Sequence, residues 1–506
     1  MELSDANSEL AQAVFHLAQS AAHFTDADLG QPYQWGAHRE GVRFALIGAM
    51  HELRTLAVAI AADRRRAANP LTRAHHALAQ YHAAYRDLDA VLLGLSADDA
   101  NMSPAVGEWS IRDTLHHMVG VQRNFFALVH YGLRRQREAG ELPARLPEGE
   151  ADRVLSGQEG LGSLRIDPDM DELIQYHARL HDRSLSEFAS IAEEEIDGPS
   201  IWWEGEPFSL EYRIHRMEAH LRQHTVQIEK SLDQLSLPAT EARRLLRHVF
   251  AALAEVEGLL IGASMVNPTL LHAVAESIHR LADDAGHAVG RANGMLAAVT
   301  GGDRERVKAM VDEEPHLANV RSRDGVSVAR LAVYYGQREI ADILTHSSDI
   351  ELDIWDGAAL GRLAAVEEDL HWAGDDALNA YSRDGYTPLQ LACFFGHEQV
   401  AAHLINAGAN VNAASRNSMV IQPIHAATAG NHLSIVRLLL QSGADPNAVQ
   451  QDSFRPLHSA AQNGNLAMAR LLLEHGADPT LPDAKGQLPR ELAEETENPQ
   501  LIALLS

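Results

Sequence analysis

The chain repeats itself toward its C-terminal end, and that repetition constrains the fold more than any other feature. Thr387-Pro388-Leu389-Gln390-Leu391-Ala392 is echoed by Pro423-Ile424-His425-Ala426-Ala427 and by Pro456-Leu457-His458-Ser459-Ala460-Ala461. A glycine follows each (Gly396, Gly430, Gly464), and each unit closes on a Gly-Ala turn at Gly408-Ala409, Gly443-Ala444 or Gly476-Ala477. The interval is about 33 residues. A unit this short cannot bury its own apolar face, so copies must stack into one continuous core with a concave groove. Weaker copies precede these, at Leu331-Ala332-Val333-Tyr334-Tyr335-Gly336, at Ala297-Ala298 with Gly302, and in shortened form around Gly361-Arg362. Leu488-Pro489-Arg490-Glu491-Leu492-Ala493 reads as a polar terminal cap. Residues 291–506 thus hold about six to seven units.

The remaining residues need at least one further core, since 506 residues exceed what one core serves. Helical spacing of Ala, Leu, Arg and Glu dominates and β-branched alternation is rare, so the fold class is all-α. A net charge of −28 repels phosphate backbones, which disfavours nucleic-acid binding. The single Cys393 cannot form an internal disulfide, pointing to a reducing compartment. Met1-Glu2-Leu3-Ser4-Asp5 lacks a basic start, and no long apolar run stands out. The expectation is a cytoplasmic protein with no signal peptide and no membrane contact.

Along the chain, residues 1–66 read as two helices with a break at Asp28-Leu29-Gly30-Gln31-Pro32. A helix over 71–96 follows, then a loop at Ser103-Pro104 and Gly107. The next helix starts at Ser110, with Asp113 three residues on as a capping-box partner. Residues 140–169, rich in Gly, Pro and charge, form a long connection. A third helix spans about Asp169 to Glu194, and a fourth begins after Pro207 and ends near Leu235-Ser236-Leu237-Pro238. Four helices with one long crossover suit a four-helix bundle over 67–237, with a site built from inward side chains. Residues 238–290 link the halves through two helices broken at Ala263-Ser264-Met265-Val266-Asn267-Pro268.

Histidines mark the candidate site. His220 and His224 lie four apart on one helix face and can share one ion. A third from a neighbouring helix gives three nitrogen ligands with an open coordination position, the layout of a catalytic metal site. With 28 histidines in the chain, chance alone supplies such pairs, and His177/His181 is another. Context favours His220/His224: Trp109-Ser110 opens the helix that carries His117, and Gln227-Ile228 follows the pair.

These residues resemble the DinB-like metalloenzyme superfamily, which has a Trp-Ser helix start, a histidine eight residues after the Trp, and a later His-x-x-x-His helix often followed by Gln-Ile. The C-terminal units resemble ankyrin repeats. The first resemblance implies metal ligands His117, His220 and His224, with His116 as the alternative to His117, and Zn or Ni as the metal. It also implies chemistry such as thiol-dependent S-transfer or isomerisation with a low-molecular-weight thiol co-substrate, and a bundle that dimerises unless flanking helices take that face. Residues 1–66 are then an extra helical pair or a degenerate half-copy. Asp113 is a candidate to orient His117, and Trp202-Trp203-Glu204 a candidate wall; no catalytic residue is assigned. His177/His181 reads as partly exposed helix surface. The ankyrin resemblance places Tyr334, Tyr335, Phe394 and Phe395 on the groove, as anchors for an unidentified protein partner or as rings packed between repeats. Two functions stand: a metal-dependent enzyme acting on small electrophiles, or a non-catalytic ankyrin scaffold whose bundle is structural or a sensor.

Overall fold

In the computed structural model, residues 2–156, 160–162, 165, 167–203, 206–263 and 266–506 are described. The chain divides into two compact units, Met1–Ala288 and Val289–Ser506. The principal helices of the first unit are α1 (Leu3–Ala21), α2 (Arg43–Arg66), α3 (Arg73–Leu92), α4 (Ile111–Arg137), α5 (Met170–Phe188), α6 (Leu210–Gln234), α7 (Glu241–Leu260) and α8 (Pro268–Gly301). The unit boundary falls within α8.

Helices α3, α4, α5 and α6 form a four-helix bundle in which α3 and α4 each pack against both α5 and α6. Helix starts are set locally. Thr72, Ser110, Asp169 and Ser209 cap α3 to α6 with their side-chain oxygens, satisfying amides that have no partner within the helix. Leu78, Tyr81, Phe125, Phe126, Phe188 and Leu221 fill the middle. Two short antiparallel strands, β1 (Pro199–Trp203) and β2 (Glu206–Ser209), form a hairpin leading into α6. Sequence periodicity missed it. The fully buried Arg213 of α6 anchors it, donating to Ser200 Oγ at 3.0 Å and to the Ile201 carbonyl at 2.7 Å.

Outside the bundle, α7 packs on α2 and α3, so flanking helices of the same chain cover one face of α3. One helix, α2, is long and apolar enough to cross a membrane by length and composition alone, a test that a core helix also meets. Its Leu46, Leu53, Leu56 and Ile60 are buried in this unit. Gly48 in α2 admits the Trp35 indole so closely that a Cβ would lie 2.7 Å from it.

A chain of buried polar groups ties α7 to the bundle. The Glu257 carboxylate accepts two hydrogen bonds from Arg86, at 2.8 and 2.7 Å, and pairs with His82 Nε2 at 2.7 Å. His82 Nδ1 meets His181 Nε2 at 2.8 Å. Burial opposes charge on Glu257, but His82 and Arg86 outweigh it and hold its carboxyl down at about 2. His177 and His181 are therefore not the partly exposed surface expected: both are buried against α3, and Tyr85 stacks on His181 at 3.9 Å. Reading polar residues as solvent-facing fails here because these rings pack against α3 and its Tyr85.

The second unit stacks helix pairs. After α9 (Arg304–Glu313) come α10 (Val328–Tyr334) with α11 (Arg338–Thr345), α12 (Ile354–Leu360) with α13 (Leu363–Ala373), α14 (Pro388–Phe395) with α15 (Glu398–Asn406), α16 (Pro423–Ala429) with α17 (Leu433–Gln441), α18 (Pro456–Gln462) with α19 (Leu466–Glu474), and α20 (Pro489–Glu494) with α21 (Pro499–Leu504). The third residue of each first helix ties its unit to the next. His425 Nε2 meets the Ala448 carbonyl at 2.9 Å, His458 Nε2 the Gln487 carbonyl at 3.2 Å, and Gln390 donates to Ala413 and Ile421. In the earlier units that position holds Arg330 and Asp356, a buried ion pair at 3.3 Å to which Arg321 adds a second contact at 3.1 Å.

Two outcomes follow from these buried groups. Burial holds His177 down at about 4 against its ordinary 6.5, so the unfolded chain binds the extra proton first. The stability this gives is complete above pH 6.5 and falls away as pH drops toward 4, by about 3 kcal/mol. Hydrogen exchange along α5 should accelerate over that window in the full chain, and His177→Leu should flatten the change; no pH dependence would contradict the account. Asp356→Ala leaves the buried Arg330 with only the longer contact to Asp384 at 3.8 Å, which costs about 3 kcal/mol. Denaturant unfolding of the repeats should move accordingly, and a change under 1 kcal/mol, roughly the worth of a surface pair, would show that the pair is dispensable.

Candidate metal centre

The site is assembled from α4 and α6, which run antiparallel. The buried Gln122 of α4 donates to the Met217 carbonyl of α6 at 3.0 Å, and Gly132 lies beside Leu210. That register sets His117, near the start of α4, level with His220 and His224 in the middle of α6. One ring nitrogen of each of the three lies within 4.8 Å of the others. His220 and His224 are buried at 7% and 6% exposure, whereas His117 is exposed, so the group opens to solvent on one side. His116 is not part of the group.

The nitrogens are oriented for sharing an ion. His224 and His220 face each other through Nε2 at 3.2 Å. His224 Nδ1 donates to Gln227 Oε1 at 2.9 Å, which fixes its proton there and leaves the Nε2 lone pair toward the group. Phe125 lies edge-on to His220 at 5.9 Å and Trp109 tilts over His117 at 5.0 Å. Burial, then His224 and His117, hold His220 down at about 4, and burial followed by His224 lowers His117. Neutral imidazole is the form that binds a metal. The buried Nδ1 of His220 has no hydrogen-bond partner. Three histidine nitrogens with one open side fit a borderline divalent ion.

Asp113 closes the α4 cap as its spacing from Ser110 predicts, its carboxylate accepting from Ser110 Oγ at 2.7 Å, and makes no hydrogen bond to His117 among the described residues, so it is not the orienting group also considered for it. The orienting group found here is Gln227, noted in the sequence only as part of a motif. Glu204 and the side chains of Trp202 and Trp203 lie outside the described residues. Cys393 is fully buried in a repeat, and burial pushes its thiol up, away from reactivity.

In the second unit, the ring of Tyr334 stacks on Phe395 at 5.8 Å, and its hydroxyl donates to Asp384 at 2.8 Å. Phe394 lies edge-on to Phe395 and is 48% exposed. With Tyr386, Leu391 and Met419 these rings line a cavity of about 250 Å3. Tyr335, 57% exposed, is not in that lining.

Comparison with known proteins agrees with both architectures. Residues 80–228 match the DinB superfamily, residues 384–416 an ankyrin repeat, and residues 414–483 a run of three ankyrin repeats. The chain thus carries a DinB-superfamily domain fused to a C-terminal ankyrin array. Among curated proteins it is similar to the nuclear factor NF-kappa-B p105 subunit of Rattus norvegicus, 30% identical over 178 residues, which is 32% of this chain and 18% of that protein. The Gallus gallus p105 subunit is 29% identical over 172 residues, 31% of this chain and 17% of that protein. The chain therefore spans less than a fifth of the length of these relatives.

One outcome belongs to the site itself. In metal-free protein, the His220 imidazole should stay neutral down to a pH of about 4, observed by its ring nitrogen shifts. A midpoint near 6.5 would mean the ring is solvated and the group less closed than described.

Proposed function

We propose that the DinB-like domain binds one divalent metal, Zn or Ni, through His117, His220 and His224, and is an enzyme that transfers a small thiol to, isomerises, or hydrolyses a small electrophile. The observation that carries this reading is the convergence of three histidine nitrogens on a side open to solvent, with burial lowering His220 and His117. A bound ion would supply a water or thiol that is deprotonated near neutral pH. The protein's own part is positional. Gln227 keeps the His224 proton on Nδ1, Phe125 and the bundle core keep water from the buried side, and Trp109 borders the approach beside His117. The reading places the protein in the cytoplasm, where small thiols are abundant and the single Cys393 has no disulfide to form.

The array is a protein-binding module, and we assign its contact to Tyr334, Tyr335, Phe394 and Phe395. Three of these rings are more than a third exposed, and three of the four line one cavity. Exposed aromatics around a concavity are the residues that anchor partners. The partner would bring its own apolar side chain to that cavity, and the array would hold the enzyme near it.

Protein purified without a metal-affinity tag should carry about one metal per chain, lost in His220→Ala/His224→Ala, as elemental mass spectrometry would show. Gln227→Ala should weaken metal affinity by about 10- to 100-fold. A protein that takes up no metal is the scaffold of the alternative reading. For the array, Phe394→Ala should weaken a captured partner by about 2 kcal/mol with unchanged helicity, read by calorimetry; full affinity would move the contact elsewhere.

A further inference from the structure

A cavity of about 430 Å3 adjoins the histidine group, lined by Gly107, Glu108, Trp109, Gln227, Lys230 and Ser231. Two of its walls touch the group directly: Trp109 stands 5.0 Å from His117, and Gln227 holds His224 at 2.9 Å. The cavity therefore borders the histidine group through Trp109 and Gln227. Its volume is that of a small-molecule site.

Its charges are arranged unusually for this protein. Lys230 is the one lysine in residues 1–288, a stretch whose other fixed cations are all arginines. The chain's Lys308 is paired with Asp312, and in the first unit Arg86 and Arg247 are held in ion pairs. Among the described residues, Lys230 and Glu108 make no ion pair, with each other or with any other group. Both are exposed on the rim of the same cavity, one on α6 and the other just before α4. A ligand with one charge meets a favourable group and an unfavourable one there. A ligand with both charges satisfies the two ends at once. The Gln227 amide NH2 makes no protein hydrogen bond among the described residues, so it adds a donor on the Lys230 side, and the Trp109 indole offers a flat apolar wall between.

We propose that this cavity binds a small zwitterion, with its carboxylate on Lys230, its ammonium on Glu108, and its frame against Trp109. The proposal rests on the metal-centre reading only in making that zwitterion a substrate; the recognition itself does not need the ion. Dianions are rejected by Glu108, and monocations by Lys230.

The test uses the full chain, metal-free and zinc-loaded, titrated with 4-(aminomethyl)benzoate, whose charges are too far apart to chelate a metal. Benzoate and benzylamine are the single-charge controls. By calorimetry or ligand-observed NMR, the zwitterion should bind about tenfold more tightly than either control. Lys230→Gln should remove its advantage over benzylamine, and Glu108→Gln its advantage over benzoate. Both positions are exposed, so both variants should fold. Equal binding of the three probes, or an advantage that survives both substitutions, overturns the proposal. A preference that persists in a protein taking up no zinc supports the zwitterion site while overturning the metal reading, and zinc uptake with no preference does the reverse.

Discussion

The hydrogen bond from Gln122 to the Met217 carbonyl fixes how α4 slides against α6, and the candidate site depends on that register. A shift of one turn, about 5.4 Å, would carry His117 out of reach of His220 and His224. Both ends of the pair are pinned as well. The Ser110–Asp113 box fixes where α4 begins, and Arg213 holds the hairpin that delivers α6. The carbonyl already serves its own helix, so Gln122 uses a second lone pair in a site where no water competes, and a buried polar bond of this kind specifies one arrangement among several that apolar packing would accept.

The bundle holds two histidine groups with opposite character. Around His82 and His181 the group is closed: Glu257 and Arg86 hold one end, the rings stack on Tyr85, and both histidines are buried. Around His220 and His224 no carboxylate is present in the group among the described residues, burial lowers His220, and one side is open. The first group is built to join α7 to the bundle; the second has lone pairs available to an ion. Histidine content and spacing do not separate them, whereas exposure and the presence of a carboxylate do.

What the sequence made legible follows from where local physics decides. The repeats announce themselves because each needs a helix cap and a Gly-Ala turn at fixed places, and the group at His117, His220 and His224 because the Trp109-Ser110 helix start and Gln227-Ile228 resemble a known family where spacing alone picks out nothing. Four things escaped. His177 and His181 look like surface because polarity does not show that their rings pack against the Tyr85 ring of α3. The hairpin at Pro199–Ser209 is too short to show a period. Asp113 is near His117 in sequence, but the helix cap claims its carboxylate first. Gln227 lies three residues past His224, one turn on, and only the observed side-chain direction shows that it takes the Nδ1 proton. In the early repeats, Arg330 and Asp356 stand where later units carry Gln390, His425 and His458, so the pattern weakens in sequence while the stacking role continues in a different chemistry.

The central claim is that one metal ion sits on these three histidines with a position left open. Crystals of zinc-loaded protein, measured on either side of the zinc absorption edge, test it most directly. The account predicts one anomalous peak at about 2.0 to 2.1 Å from a nitrogen of each of His117, His220 and His224, with no fourth protein ligand. A peak ligated elsewhere, a fourth side chain closing the site, or no peak between α4 and α6 would contradict it.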